Sequence, residues 1–156
     1  ACWLNNVAHI CLFLVFIFRM TVVQAFMLDS LWSSMPKKDV LPEYFLEILS
    51  KSIAINTNYS TKVKKIDEVW QHIGNKTECA LLTFLEQIGV NFEEVRRLNP
   101  ENDFVKVYTF NSVRKCMSTV IKTEDGHQVL CKGAPEIVLP KYTSLDILAF
   151  CCCIFN

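Results

Sequence analysis

A phenylalanine, two lysines and a glycine stand out as residues able to do chemistry: Phe110, Lys115, Lys132 and Gly133. Phe110 ends a strand-like run just before a turn, so its ring can present at a sheet rim and stack on a flat partner. Two lysines from adjacent strands can converge on one pocket, as point charges for an anion or as cover for a ring. Gly133 has no Cβ, so backbone there can approach a ligand closely. Thr77 and Glu78 open a helix, where both can cap and where an acid suits the positive end of the helix dipole. Each residue also has a plain structural reading: Phe110 as core, the lysines as solvated surface, Gly133 as a turn.

The elements that must hold these residues follow from periodicity. Residues 19–28 are β-branched and aromatic and read as a strand. Residues 30–39 form a polar connection, and Pro42 opens a helix with Phe45, Ile48, Leu49 and Ile53 on one face. Residues 56–75 show no clear period and read as a long connection. A second helix is expected from Thr77 to Gln87, with Ala80, Leu81, Phe84, Leu85 and Ile88 buried and Gly89 ending it. Asn91 caps a short third helix carrying Glu93 and Glu94 in its first turn, and Asn99-Pro100 stops it. Residues 104–110, 115–122 and 127–132 then alternate as strands, the last two joined by Glu124-Asp125-Gly126, a hairpin signal. Pro135-Glu136 opens a final helix. This order predicts an α+β domain, an antiparallel β-sheet with helices packed on it.

Composition narrows the function classes. The chain has 156 residues, with 16 basic and 16 acidic side chains, a net charge of zero and a hydrophobic fraction of 51%. That is ample for a core and argues against disorder. Without a basic balance there is no electrostatic footprint for nucleic acid. Charge is confined to residues 19–146, leaving two uncharged ends, residues 1–18 and 147–156. Val7 to Phe18 form an apolar run, short for a membrane span and without a basic segment before it. Of the 8 cysteines, Cys79, Cys116 and Cys131 lie between the ends, and none has zinc-ligand spacing. They are expected to be buried free thiols. His9, His72 and His127 are scattered, and no metal site is predicted. No phosphate-loop, dinucleotide-loop or hydrolase motif occurs. Asn58-Tyr59-Ser60 and Asn75-Lys76-Thr77 match glycosylation acceptors.

Three longer strings are more specific: Gly74-Asn75-Lys76-Thr77-Glu78-Cys79-Ala80-Leu81-Leu82, Lys106-Val107-Tyr108-Thr109-Phe110-Asn111-Ser112-Val113-Arg114-Lys115-Cys116-Met117-Ser118-Thr119-Val120, and Lys132-Gly133-Ala134-Pro135-Glu136. In this order they resemble the nucleotide-binding domain of P-type ATPases, and the first two resemble the plasma-membrane calcium pump branch. Arg19-Met20-Thr21-Val22-Val23 is similar to the segment leading into that domain. The resemblance spans residues 19–145.

The resemblance implies an ATP-binding domain, with Mg2+ brought by the nucleotide. It implies that Phe110 stacks on adenine, that Glu78 accepts from the adenine amino group, and that Lys115, Lys132, Gly133 and Thr77 belong to the same site. Ser112 stands where another branch often carries a phosphate-contacting Arg, and Arg114 is a candidate substitute. The implied parent is a calcium-transporting ATPase of the plasma membrane, with this domain on the cytosolic side. Its phosphorylation and actuator domains would be this domain's partners, and it would meet the membrane only through that parent. The family's Asp-Lys-Thr-Gly-Thr phosphorylation motif does not occur here. The chain is therefore expected to be a fragment that binds ATP without turnover. Residues 1–18 are expected to be anchor-like or non-native, residues 19–145 the nucleotide-binding domain, and residues 146–156 an apolar Cys-rich tail. Two other readings stay open: a free-standing ATP-sensing module, and a membrane-anchored or secreted interaction domain glycosylated at Asn58 or Asn75.

Overall fold

The computed structural model describes residues 7–15, 20–28, 30–67, 69–124, 126–138, 140 and 149–155. Residues 1–6, 16–19, 29, 68, 125, 139, 141–148 and 156, which include parts of the two uncharged ends and the end of the expected nucleotide-binding domain, lie outside the described residues.

Nine strands and four α-helices are described, in an α+β arrangement. The strands are β1 (Val7–Val15), β2 (Thr21–Met27), β3 (Ser30–Trp32), β4 (Lys62–Ile66), β5 (Val69–Ile73), β6 (Phe104–Asn111), β7 (Cys116–Thr123), β8 (Gly126–Gly133) and β9 (Ala149–Phe155). The helices are α1 (Glu43–Ala54), α2 (Lys76–Gln87), α3 (Phe92–Leu98) and the single turn α4 (Pro135–Val138). Seven strands form one sheet in the order β3-β2-β9-β1-β8-β7-β6, and β4-β5 form a separate hairpin. The β6-β7-β8 meander and the β2 pairings are antiparallel. Among the described strands, the parallel pairings are those of β1 with β8 and with β9. No helix among the described residues is long and apolar enough to cross a membrane.

The core is built from the faces that the sequence periodicity marks. Phe45, Leu49 and Ile53 of α1 meet Ala80, Leu81, Phe84 and Leu85 of α2, with Val22, Ala25 and Met27 of β2 and Phe92 of α3. A smaller cluster of Ile55, Ile121 and Leu130 joins the meander to the end of α1. Removing these surfaces from water is the main favourable term in folding.

Three local expectations need correction. Residues 56–75 are not a structureless connection, because β4 and β5 pair within them. In β4 only Val63 is buried, and β5 has no fully buried residue, so the hairpin shows little hydrophobic alternation. Residues 30–39 hold β3 and a 3-10 turn at Lys38–Val40. Lys115 is not in a strand: it sits at φ +49° in the turn before β7.

Candidate functional site

The first wall of the site is the start of α2. Asn75 caps the helix, its Oδ1 accepting from Glu78 N at 3.2 Å. Gly74 before it has φ +105°, and a Cβ there would lie 2.9 Å from Thr61 Oγ1, so glycine lets Thr61 pack against the helix entrance. Glu78 thus has its backbone capped, while its side chain points to tertiary partners. Its Oε2 accepts from Thr61 Oγ1 at 2.8 Å and from Asn58 N at 3.1 Å. Its Oε1 accepts from Lys132 Nζ at 2.6 Å.

The second wall is the meander. At the β6–β7 turn, Asn111 Oδ1 accepts from Val113 N at 2.8 Å and Arg114 N at 3.3 Å, and Lys115 N donates to Asn111 O at 2.7 Å. This closed turn sets Phe110 and Lys115 on either side of it. Lys115 O accepts from Ala134 N at 2.9 Å, which draws the end of β8 against the turn. Gly133 pairs with Cys116, and a Cβ on it would stand 2.6 Å from both Cys116 Cβ and Lys115 O. The close approach that requires glycine here is therefore between strands.

These walls enclose a cavity of about 490 Å3 lined by Asn75, Thr77, Glu78, Leu81, Phe110, Lys115, Lys132, Gly133, Ala134 and Pro135. Six of the eight residues singled out from sequence meet in it: Thr77, Glu78, Phe110, Lys115, Lys132 and Gly133. Ser112 and Arg114 do not line it. Both lie in the exposed turn, where the Arg114 guanidinium donates to Thr109 O at 2.6 Å and sits 5.9 Å from the Tyr108 ring centroid. A second cavity of about 390 Å3 shares Asn75, Glu78 and Phe110 with the first and extends to Asn58, Thr61 and Thr119.

Burial and charge differ sharply around the cavity. Phe110 is 63% exposed and belongs to none of the core clusters. Lys115 is exposed and reaches Glu136 Oε1 at 3.2 Å. Lys132 and Glu78 are both nearly buried. Burial pushes the Glu78 carboxyl up, but the Lys132 charge and the hydrogen bonds from Lys132, Thr61 and Asn58 N–H outweigh it, and its pKa falls below the ordinary value. Burial pulls the Lys132 ammonium down against the opposing pull of Glu78. The site therefore offers an exposed ring, an exposed ammonium paired with Glu136, a recessed ammonium and an ionised carboxylate.

Sequence reasoning missed the Lys132–Glu78 pair and the parts played by Asn58, Thr61 and Arg96. Asn58 lies in an Asx turn, its Oδ1 accepting from Ser60 N at 2.8 Å, and Asn75 serves as a cap. Cys79, Cys116 and Cys131 are buried thiols that form no disulfide. Among the described residues no cluster of His, Cys, Asp or Glu is arranged to hold a metal ion.

Comparison with known proteins adds a family match. The profile of P-type ATPase, cytoplasmic domain N, matches residues 45–150. Plasma membrane calcium-transporting ATPase 1 of Gallus gallus is 45% identical over 127 residues, covering 79% of this chain and 10% of its own length. Plasma membrane calcium-transporting ATPase 3 of Rattus norvegicus is 44% identical over 131 residues, covering 81% and 10%. Plasma membrane calcium-transporting ATPase 2 of Oreochromis mossambicus is 44% identical over 127 residues, covering 79% and 11%. The chain thus spans about a tenth of the length of the curated relatives it matches.

Proposed function

The chain belongs to the P-type ATPase family, whose cytoplasmic domain N it matches, and we propose on that premise that the 490 Å3 cavity binds ATP. The observation that carries this reading is the Phe110 ring, exposed at a cavity that also holds Lys115, Lys132 and Glu78. A phenylalanine outside the core loses free energy to water unless a partner covers it. Adenine is such a partner, and stacking a base on an aromatic ring is worth roughly 1–3 kcal/mol. Glu78, held ionised, accepts from the exocyclic amino group. Lys115 reaches the phosphates as a mobile point charge, and Lys132 supplies a second cation from within. Mg2+ enters with the nucleotide as part of the substrate.

The same reading gives the domain's place in a larger protein. It serves as the ATP-carrying domain of a calcium-transporting ATPase of the plasma membrane, on the cytosolic side. The phosphoryl group passes to an aspartate on a neighbouring phosphorylation domain, with an actuator domain as the other partner. The Asp-Lys-Thr-Gly-Thr acceptor motif is not in these 156 residues, so the chain alone binds nucleotide without transferring phosphate. Transfer then rests on positioning and charge stabilisation between domains.

Calorimetric titration of the full chain with Mg·ATP tests the site. Binding is expected, and Phe110→Ala is expected to weaken it by about fivefold or more. Equal affinity in the two proteins would overturn the assignment.

A further inference from the structure

Glu78 is steered from behind the cavity by groups that sequence reasoning did not single out. A carboxylate offers about four acceptor positions. Lys132 Nζ, Thr61 Oγ1 and Asn58 N fill three of them on Glu78, leaving one for a ligand. Asn58 and Thr61 lie between α1 and β4, outside any helix or strand. Such a segment holds its shape only if something fastens it.

Arg96 is that fastener. From α3 it donates through Nε to Ala54 O at 3.0 Å, through Nη1 to Thr61 O at 2.8 Å and Tyr59 O at 3.5 Å, and through Nη2 to Thr57 Oγ1 at 2.8 Å and Asn58 O at 3.1 Å. Its guanidinium lies 4.6 Å from the Tyr59 ring centroid and 5.3 Å from that of Phe92. Arg96 is buried and lines neither cavity. A buried cation is costly to desolvate, and these hydrogen bonds all go to the end of α1 and the segment after it. Two groups of that segment, the Thr61 hydroxyl and the Asn58 N–H, end on the same Glu78 oxygen.

We infer that Arg96 and Thr61 are positioning residues that set nucleobase selectivity by fixing the direction of the one acceptor Glu78 has left. The inference rests on the nucleotide-binding reading above. A carboxylate held in advance needs no reorganisation when a purine arrives, so its preference for a base-edge donor over an acceptor is sharp. Once loosened, Glu78 turns from an unfavourable edge as readily as it meets a favourable one, and the preference shrinks.

Selectivity separates this role from simple stabilisation. Inosine triphosphate carries a carbonyl oxygen where ATP carries its exocyclic amino group, and both have the same phosphates and the same stacking face. Affinities of both nucleotides are measured on the wild-type full chain, Thr61→Val, Thr61→Ser, Arg96→Lys and Phe110→Ala. The wild type is expected to prefer ATP. Thr61→Val removes one hydrogen bond to a charged acceptor and is expected to reduce that preference about tenfold. Thr61→Ser, which keeps the hydroxyl, is expected to retain the preference, and Arg96→Lys to reduce it like Thr61→Val. Thr61→Val carries the test if Arg96→Lys fails to fold. The inference is overturned if the wild type shows no preference, or if Thr61→Val weakens both nucleotides by the same factor or neither. Those results leave ATP binding and its loss in Phe110→Ala intact. A wild type that binds neither nucleotide, or Phe110→Ala that binds ATP as the wild type does, overturns the nucleotide-binding reading and this inference with it.

Discussion

Lys132 Nζ lies 2.6 Å from Glu78 Oε1, tying the end of β8 to the first turn of α2 across 54 residues of chain. The two side chains are 12% and 11% exposed, so the pair is largely screened from water. It forms part of the cavity wall and braces the meander against the helical layer. Both charges also lie where the proposed ligand would sit, so binding and stability share these atoms.

Lys132→Met keeps most of the apolar stem and deletes the charge. Glu78 is then left buried with only Thr61 and Asn58 N–H as partners. Breaking a buried pair from one side costs about 3 kcal/mol or more. Urea unfolding is expected to show a loss of that order, partly recovered when Glu78→Gln is added. Equal stability of Lys132→Met and the wild type would mean that the pair does not brace the fold.

Acidification acts through the same carboxylate. The folded-state pKa of Glu78 is depressed, chiefly because Lys132 and its hydrogen bonds outweigh burial. Its contribution is therefore fully present above the unfolded carboxyl value of about 4.3 and is lost as pH falls through the folded value. Glu86 has the opposite sign, since burial raises its pKa, so its contribution declines as pH rises through the folded value. Urea midpoints followed from neutral pH to acid are expected to fall less steeply in Glu78→Gln than in the wild type. An unchanged acid limb in Glu78→Gln would contradict this.

Lys115 holds a left-handed backbone at φ +49°, a conformation that costs a non-glycine residue roughly 1–2 kcal/mol. Its ion pair with Glu136 is exposed and worth little. Strain kept at a candidate site points to a side chain needed for something other than folding. Lys115→Gly is expected to raise thermal stability by about 1 kcal/mol while weakening ATP binding. A variant with both lower stability and unchanged ATP affinity would show that the lysine serves the fold.

How much of this was legible in the sequence depends on how local each signal is. The caps at Asn91 and the buried face of Ala80, Leu81, Phe84, Leu85 and Ile88 are written within single helices, and both appear as read. The meander was legible too, because β7 and β8 alternate and meet in a short turn before Gly126. The β4–β5 hairpin was not, since Val63 is the one buried residue in its two strands and its turn, with Asp67 at φ +47°, contains no glycine. Lysine gives no hint of a left-handed backbone, so Lys115 read as a strand residue. Gly133 was visible as a place of close approach, but only the fold shows that β7 fills it. The Lys132–Glu78 pair and the grip of Arg96 on residues 57–61 join distant segments, and no local pattern encodes them.

The contact on which the proposed site depends above all is Phe110 facing a bound purine. An NMR titration of the full chain with Mg·ATP can observe contacts between adenine protons and the ring protons of Phe110. Intermolecular cross-peaks to Phe110 are expected, with the Lys115 and Lys132 signals shifting over the same titration. ATP that binds while its adenine protons contact other residues and leave Phe110 untouched would contradict it.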